Sequence, residues 1–486
     1  MSLLAPFHAP PAREYTRSND DWQSEGGDKE VTRRLNRFVD SLVSLLVSEP
    51  KSQVFSGTFR LHSRSCTLYL AANGEVPQSV ISRAKAIHDA IANLIDPSIP
   101  RDGSPILDLL SKPGVPTKTS EFLVEQYQYS MPKFRARLKK RYHVFKQFMD
   151  VLDAQPKHRD KFSKEEHDKI KDLKKYLNNV NVTLDIHKAE PTMLSEPANY
   201  ISCAIHIVHE AWTKLCNAAA KNPYKDENLV NKIDKVYKDM KDSSVAGMPE
   251  GEFPFCRWLR KVTSLHVDAR TVLAMAASER LRPWVECEFK VVAVPSSPRG
   301  FELDLSRSAI EKVVLWAHRP STYKSSSEAA RYLKDACDAI STFHLSPSAG
   351  PNPHCECSLV AFLQCHQIVT IPYIGVSKPS CLACHWYIQA CNETLAHPSG
   401  KFQTAGCHGG YVAGWVPPSV GQQDQDLEIE KIMVTRLRSM FAGHLSTIET
   451  RNRTDSQSTA ASSGSQDDSF PVSPSGGLTY NAPGFL

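Results

Sequence analysis

The chain has 486 residues, with 58 Lys and Arg against 53 Asp and Glu, and 13 cysteines. At about 150 residues per domain this length accommodates two or three domains with sizeable cores. A hydrophobic content of 41% and a charged content of 23%, with near-average Gly and Pro, exclude collagen-like and wholly disordered chains. A formal net charge of +5 is too small to argue for a nucleic-acid partner by itself.

An odd cysteine count in a long chain does not suit a disulfide scaffold. The N-terminus offers only Leu3 and Leu4 before prolines and charges intervene, which is no signal-peptide core. Apolar runs such as Val272–Ala277 fall far short of the ~20 residues a membrane helix needs. The expectation is an intracellular, reducing compartment, cytoplasmic or nuclear, with no membrane association.

In chain order, residues 1–28 are polar and Pro-rich and read as a disordered leader. Val31, Leu35, Val39, Leu42 and Leu46 recur at helical spacing and predict a helix over 30–46. The stretch 54–72 suits a short hairpin, and 78–94 a second helix. Breakers cluster from Pro100 to Pro116, after which 121–241 reads as mostly helical. That region holds the segment KFRARLKKRYHVFK, with seven Lys/Arg and no acid. Its apolar stripe, Phe134, Leu138, Tyr142, Phe145 and Met149, leaves the basic residues on the other face. They form either a solvated face or a phosphate-contacting surface.

Gly247, Pro249, Gly251 and Pro254 mark a boundary between a mostly helical domain, 29–255, and a second domain, 256–445. The second should begin with a long helix over 258–281 and a strand from the alternation at 285–291. Two helices are expected within Ser306–Ser346, then a helix opening near Pro353. A strand at 368–376, a helix opening near Ser380, an extended Gly-rich stretch over 402–416 and an amphipathic helix over 426–443 complete it. Alternating strands and helices make this an α/β domain. Residues 446–486, rich in Ser, Gly and Pro, read as a disordered tail.

Seven of the 13 cysteines lie between Cys355 and Cys407. His354-Cys355-Glu356 opens one helix, the strand IVTIPYIGV follows, and Cys381-Leu382-Ala383-Cys384 opens the next. Cysteines three apart in a first helical turn point the same way, and a helix N-terminus favours their thiolates. With His354 they supply three zinc ligands and leave a fourth position for water, which marks a catalytic site. Such an ion lowers the water pKa towards ~7, and Glu356 is placed to take the proton. The order His-x-Glu, then Cys-x-x-Cys, is that of the zinc deaminases, in which the Glu is acid/base and not a ligand. A closed cluster of Cys355, Cys357, Cys381 and Cys384 stays open as an alternative, but it leaves Glu356 without a role. Cys365, His366, Cys391, Cys407 and His408 are further possible ligands, more at home as core or surface residues.

The runs HCECSLVAFL, YIGVSKPSCLAC and GCHGGYVAGWVPP resemble the fungal branch of the cytidine deaminase-like superfamily over about 256–445. The resemblance implies a three-layer α/β/α fold with a mixed central sheet. It also implies zinc on His354, Cys381 and Cys384, with Glu356 as proton shuttle. Two features depart from the family pattern. Ser380 separates Pro379 from Cys381, and Ser306–Ser346 lies where the core would pass quickly to the His-x-Glu helix.

The expected reaction is hydrolytic removal of an amino group from cytosine or adenine, with ammonia released. Asn352, Trp386 and Trp415 are candidate substrate-binding residues, and a backbone N–H near Cys381 or Cys355 is a candidate for orienting the intermediate. The extra helical residues favour a large substrate, such as RNA or single-stranded DNA, over a free nucleotide. The competing readings are a non-catalytic, zinc-stabilised scaffold with a deaminase-like fold, and deamination of a non-nucleobase amine. Oligomeric state has no signal in the sequence.

Overall fold

The computed structural model describes residues 29–50, 53–62, 64–94, 118–186, 229–249, 253–276, 285–296, 352–410 and 415–440, with isolated positions between them. The expected leader, the tail and the two helices within 306–346 lie outside these residues, apart from Ser308 and Lys312. The chain divides into two compact units, 1–304 with 344–437, and 305–343 with 438–486. Everything below concerns the first.

The expected hairpin forms as β1 (Phe55–Leu61) and β2 (Ser65–Ala72), paired antiparallel from Phe55↔Ala72 to Leu61↔Cys66. Two later strands flank it. β3 (Glu288–Ala293) runs parallel to β2, and β4 (Tyr373–Val376) pairs antiparallel with β1 through Ser56↔Val376 and Gly57↔Gly375. With β5 (Gln403–Thr404) parallel to β4, the sheet order is β3-β2-β1-β4-β5. The sheet is therefore mixed, and its strands come from both sides of the 255/256 boundary drawn from the sequence.

Side-chain alternation sends the two faces of this sheet into different cores. Cys66, Leu68, Leu70 and Tyr373 join one buried cluster, while Tyr69, Ala71, Ile374 and Val376 join another. The first cluster also takes the apolar faces of α1 (Lys29–Leu45), α2 (Gln78–Leu94), α3 (Lys118–Tyr129), α4 (Met131–Ala154), α6 (Lys164–Ile186), α7 (Leu229–Asp242) and α8 (Phe255–Ala276). A one-turn α5 (Pro156–Arg159) links α4 to α6. The helices of the N-terminal half thus share their core with one face of the sheet rather than enclosing a core of their own.

The facing glycines Gly57 and Gly375 let α1 settle onto the sheet. A Cβ on Gly375 would come within 2.5 Å of the Val39 side chain, and one on Gly57 within 3.0 Å of Val43. Asp40 fastens the contact, accepting from the Tyr373 hydroxyl at 2.6 Å and from the Val376 amide at 3.1 Å.

The second core holds α9 (Cys355–Cys365), α10 (Leu382–Thr394) and, within this unit, residues 423–437 of α11. Along α9 every residue from Cys355 to Ala361 is buried, so this helix is walled by protein all round. α9 contacts β1, β2, β4 and α10, which puts its N-terminus and that of α10 side by side.

Candidate metal centre

His354 and Cys381 occupy equivalent positions, each the N-cap of its helix with an extended backbone, ψ 155° and 165°. An N-cap side chain turns back over the first turn, where N–H groups are free and the dipole is positive. Cys381 does so: its Sγ accepts from the backbone N–H of Cys384 at 3.5 Å. Capping thereby turns both sulfurs of the Cys-x-x-Cys pair towards one point, and His354 reaches the same point from α9.

The three donor atoms form a compact triangle. His354 Nδ1 lies 3.6 Å from Cys381 Sγ and 3.2 Å from Cys384 Sγ, and the two sulfurs are 3.3 Å apart. Tetrahedral bonds of zinc length, about 2.3 Å to sulfur and 2.0–2.1 Å to nitrogen, require donors about 3.5–3.8 Å apart. The triangle fits such an ion with little adjustment. Among the described residues it is the one grouping of His, Cys, Asp and Glu side chains with this convergence.

The closed four-cysteine alternative is not assembled. Cys355 turns its thiol to Glu356 Oε2 at 3.3 Å, and Cys357 points to the carbonyl of Cys384 at 4.0 Å. Burial pushes the Cys355 thiol well up and that of Cys357 up to about 11, so both keep their protons at neutral pH. Cys381 behaves in the opposite way. Hydrogen bonding from Cys384 outweighs burial and, with His354 beside it, holds Cys381 down at about 5. Burial drives Cys384 up. His354 is pressed down by burial but raised on balance by its hydrogen bond and attraction to Cys381.

Glu356 is buried on the first turn of α9, 4% exposed. Its charge acts on both His354 and Cys384, so a carboxylate stands beside the donor triangle without belonging to it. The Cys355 amide, one candidate for orienting an intermediate, is already engaged: it donates to Asn73 Oδ1 at 2.9 Å. Asn73 follows β2 by one residue and caps a helix 282 positions away. Sequence reasoning missed it, because Asn73-Gly74 reads locally as a turn.

The three candidate substrate residues are placed differently. Trp415 is buried at 5% exposure, edge-on to Tyr387, and its Nε1–H donates to Cys384 Sγ at 3.2 Å. It thus contacts one of the three converging donors rather than an open surface. Asn352 is half-buried and bridges to the backbone of Trp415, which ties the approach to His354 to the same segment. Trp386 is half-buried against the second core, and its carbonyl accepts from Arg436 of α11 at 3.1 Å.

Ser380, the extra residue before Cys381, is fully buried and bridges to Cys407. His408 N–H donates to its carbonyl at 2.9 Å, and Leu382 N–H donates to Gly410 at 3.0 Å. The Gly-rich stretch thus clamps the chain on both sides of Cys381. Cys391 is core, fully buried in α10.

Residues 353–419 match the family model described as "OTT_1508_deam:-like deaminase". The matched span contains His354, Glu356, Cys381, Cys384 and Trp415. No curated protein and no solved structure matches the chain.

Proposed function

We propose that the chain is a zinc-dependent hydrolytic deaminase acting on an amino-bearing nucleobase, cytosine or adenine, within a nucleotide or nucleic acid. The observation that carries this reading is the convergence of His354 Nδ1, Cys381 Sγ and Cys384 Sγ beside a buried Glu356 that binds none of them. The deaminase family match over the same residues supports it.

Zinc held by His354, Cys381 and Cys384 would supply a water acidic enough to deprotonate near neutral pH. The chain's own residues do the rest. Glu356 takes one proton from the water and delivers it to the ring nitrogen as the C–O bond forms, then takes the proton of the newly added hydroxyl and delivers it to the amine as the C–N bond breaks and ammonia leaves. The Cys355 thiol at Oε2 keeps the carboxylate turned to one side. Trp415 and the Cys384 amide hold the two sulfurs in place by donating to them. The core of α9, α10 and α11 excludes water from behind the site.

The sheet with a core on each face supports the three-layer arrangement of the cytidine deaminase-like fold. In this reading β1 and β2 belong to the catalytic fold, and the helices of 78–276 pack on its far face.

Ammonia release from the zinc-loaded full chain tests the proposal, scored across nucleosides, nucleotides, RNA and single-stranded DNA. Release from at least one base-containing substrate is expected. Full zinc occupancy with no release from any member sinks the enzymatic reading in favour of a zinc-stabilised scaffold.

A further inference from the structure

The basic segment on α4 divides into two sets. Several of its cations are committed internally. Lys133 is buried, with Nζ donating to the Ser44 carbonyl at 2.9 Å. Arg135 donates to the Leu184 carbonyl at 3.1 Å, and Lys139 pairs with Asp185. Arg137 donates to Ser264 Oγ at 2.5 Å on α8. Lys140 is exposed and its side chain has no ion pair among the described residues.

α8 lies antiparallel against this face. Trp258 Nε1–H donates to the Arg137 carbonyl at 3.2 Å, and Arg137 reaches both Ser264 and the Lys261 carbonyl. Arg257 and Lys261, one turn apart on α8, are exposed and also lack ion pairs among the described residues. Lys378 is a fourth such side chain, exposed between β4 and Cys381 and three residues from that ligand.

Lys378 follows β4 by two residues, and β4 is tied to α8 through α1: the Val376 amide donates to Asp40 and the adjacent Ser41 hydroxyl donates to Asp268, one turn along α8 from Ser264, the partner of Arg137. Half-buried Asp268 and its neighbours Ser41 and Ser44 face the inner end, where Asp268 offsets Lys133 and Arg137. From the level of Asp268 to that of Arg257 the rise along α8 is roughly 16 Å, too long for one phosphate group.

We propose that Lys378, Lys261, Lys140 and Arg257 form a track for the phosphate backbone of a single-stranded polynucleotide, ending at Lys378, three residues from Cys381. The inference rests on the deaminase reading for the identity of the base delivered, but not for the binding itself. Neighbouring like charges without counter-ions are stabilised when an anion with several charges replaces the small ions around them. A strand held through its backbone leaves its bases free to turn into a site.

Binding of a labelled single-stranded oligonucleotide to the zinc-loaded full chain, measured by fluorescence anisotropy across a salt series, is the test. Wild-type protein should bind with strong salt dependence. Lys261→Gln and Lys378→Gln should each weaken binding several-fold and reduce the salt slope by about 0.7 per contact removed. The control Lys175→Gln, on the exposed face of α6, should change neither. The track is overturned if wild type does not bind, or if the two variants keep wild-type affinity and slope. It is also overturned if a mononucleotide or an acidic peptide at equal charge displaces the strand equally well. Strand binding without ammonia release would leave the track standing and sink the deaminase reading, whereas release with unchanged variants would do the reverse.

Discussion

The indole N–H of Trp415 donates to the sulfur of Cys384 across 3.2 Å, from a segment 31 residues further along the chain. A donor to a ligating thiolate moderates its charge and fixes its orientation, and loss of such an outer partner typically costs 10–100-fold in metal affinity or activity. Trp415→Phe keeps most of the ring and removes the donor. We expect zinc affinity, measured by chelator competition, to fall at least about tenfold. Unchanged affinity with a raised KM would instead make Trp415 a substrate-stacking residue.

Asn73 closes the other end of the arrangement, accepting from the Cys355 amide where α9 begins. Asn73→Ala leaves that N–H without its partner at a buried helix end, a cost of about 1–3 kcal/mol. Asn73→Asp retains the acceptor. Urea unfolding of the zinc-loaded protein should show the alanine variant destabilised by this amount and the aspartate variant by less. Equal stability of alanine variant and wild type would remove the cap from the account.

Metal content separates the two cysteine readings. His354→Ala, Cys381→Ser and Cys384→Ser should each reduce bound zinc to a small fraction of one equivalent, while Cys357→Ser, whose thiol points at the Cys384 carbonyl, should retain it. Zinc loss on Cys357→Ser comparable to that on Cys381→Ser would restore the closed four-cysteine cluster.

The pair under α1 gives a pH dependence of stability. Burial, then Arg137, pulls Lys133 down to about 7, so from pH 7 to about 10 the unfolded chain holds more protons and stability rises with pH. Burial raises Asp268 to about 6, so between about pH 4 and 6 the folded chain holds more protons and stability falls as pH rises. Lys133→Met removes the upper arm. The unfolding free energy of wild type minus that of the variant should therefore climb from pH 7 to 10, and a flat difference would contradict the burial of a charged Lys133.

The metal site was legible because its information is local. His354-x-Glu356 and Cys381-x-x-Cys384 each open a helix within one turn, and the Cys384 amide caps the Cys381 sulfur. The sheet was much less so. Ser56 pairs with Val376 and Ser65 with Glu288, and no short-range pattern records such partners, so β1 and β2 read as belonging to a helical domain. Strand limits moved for the same reason. The alternation at 285–291 was real, but β3 begins at Glu288, where the start of β2, Ser65, supplies its partner. β4 starts only after Pro372, which has no N–H for a ladder. The charge on α4 was visible, but not its division, because Lys133, Arg137 and Lys139 find their partners on other elements.

The central claim is that Glu356 moves protons beside a metal it does not bind. Glu356→Gln keeps the shape and burial of the side chain and removes its basicity. Zinc content and ammonia release should be measured together on this variant and on wild type, with the best substrate of the panel. The account predicts one equivalent of zinc in both proteins and ammonia release reduced by at least about 10²-fold in the variant. Release at the wild-type rate with zinc in place would contradict it.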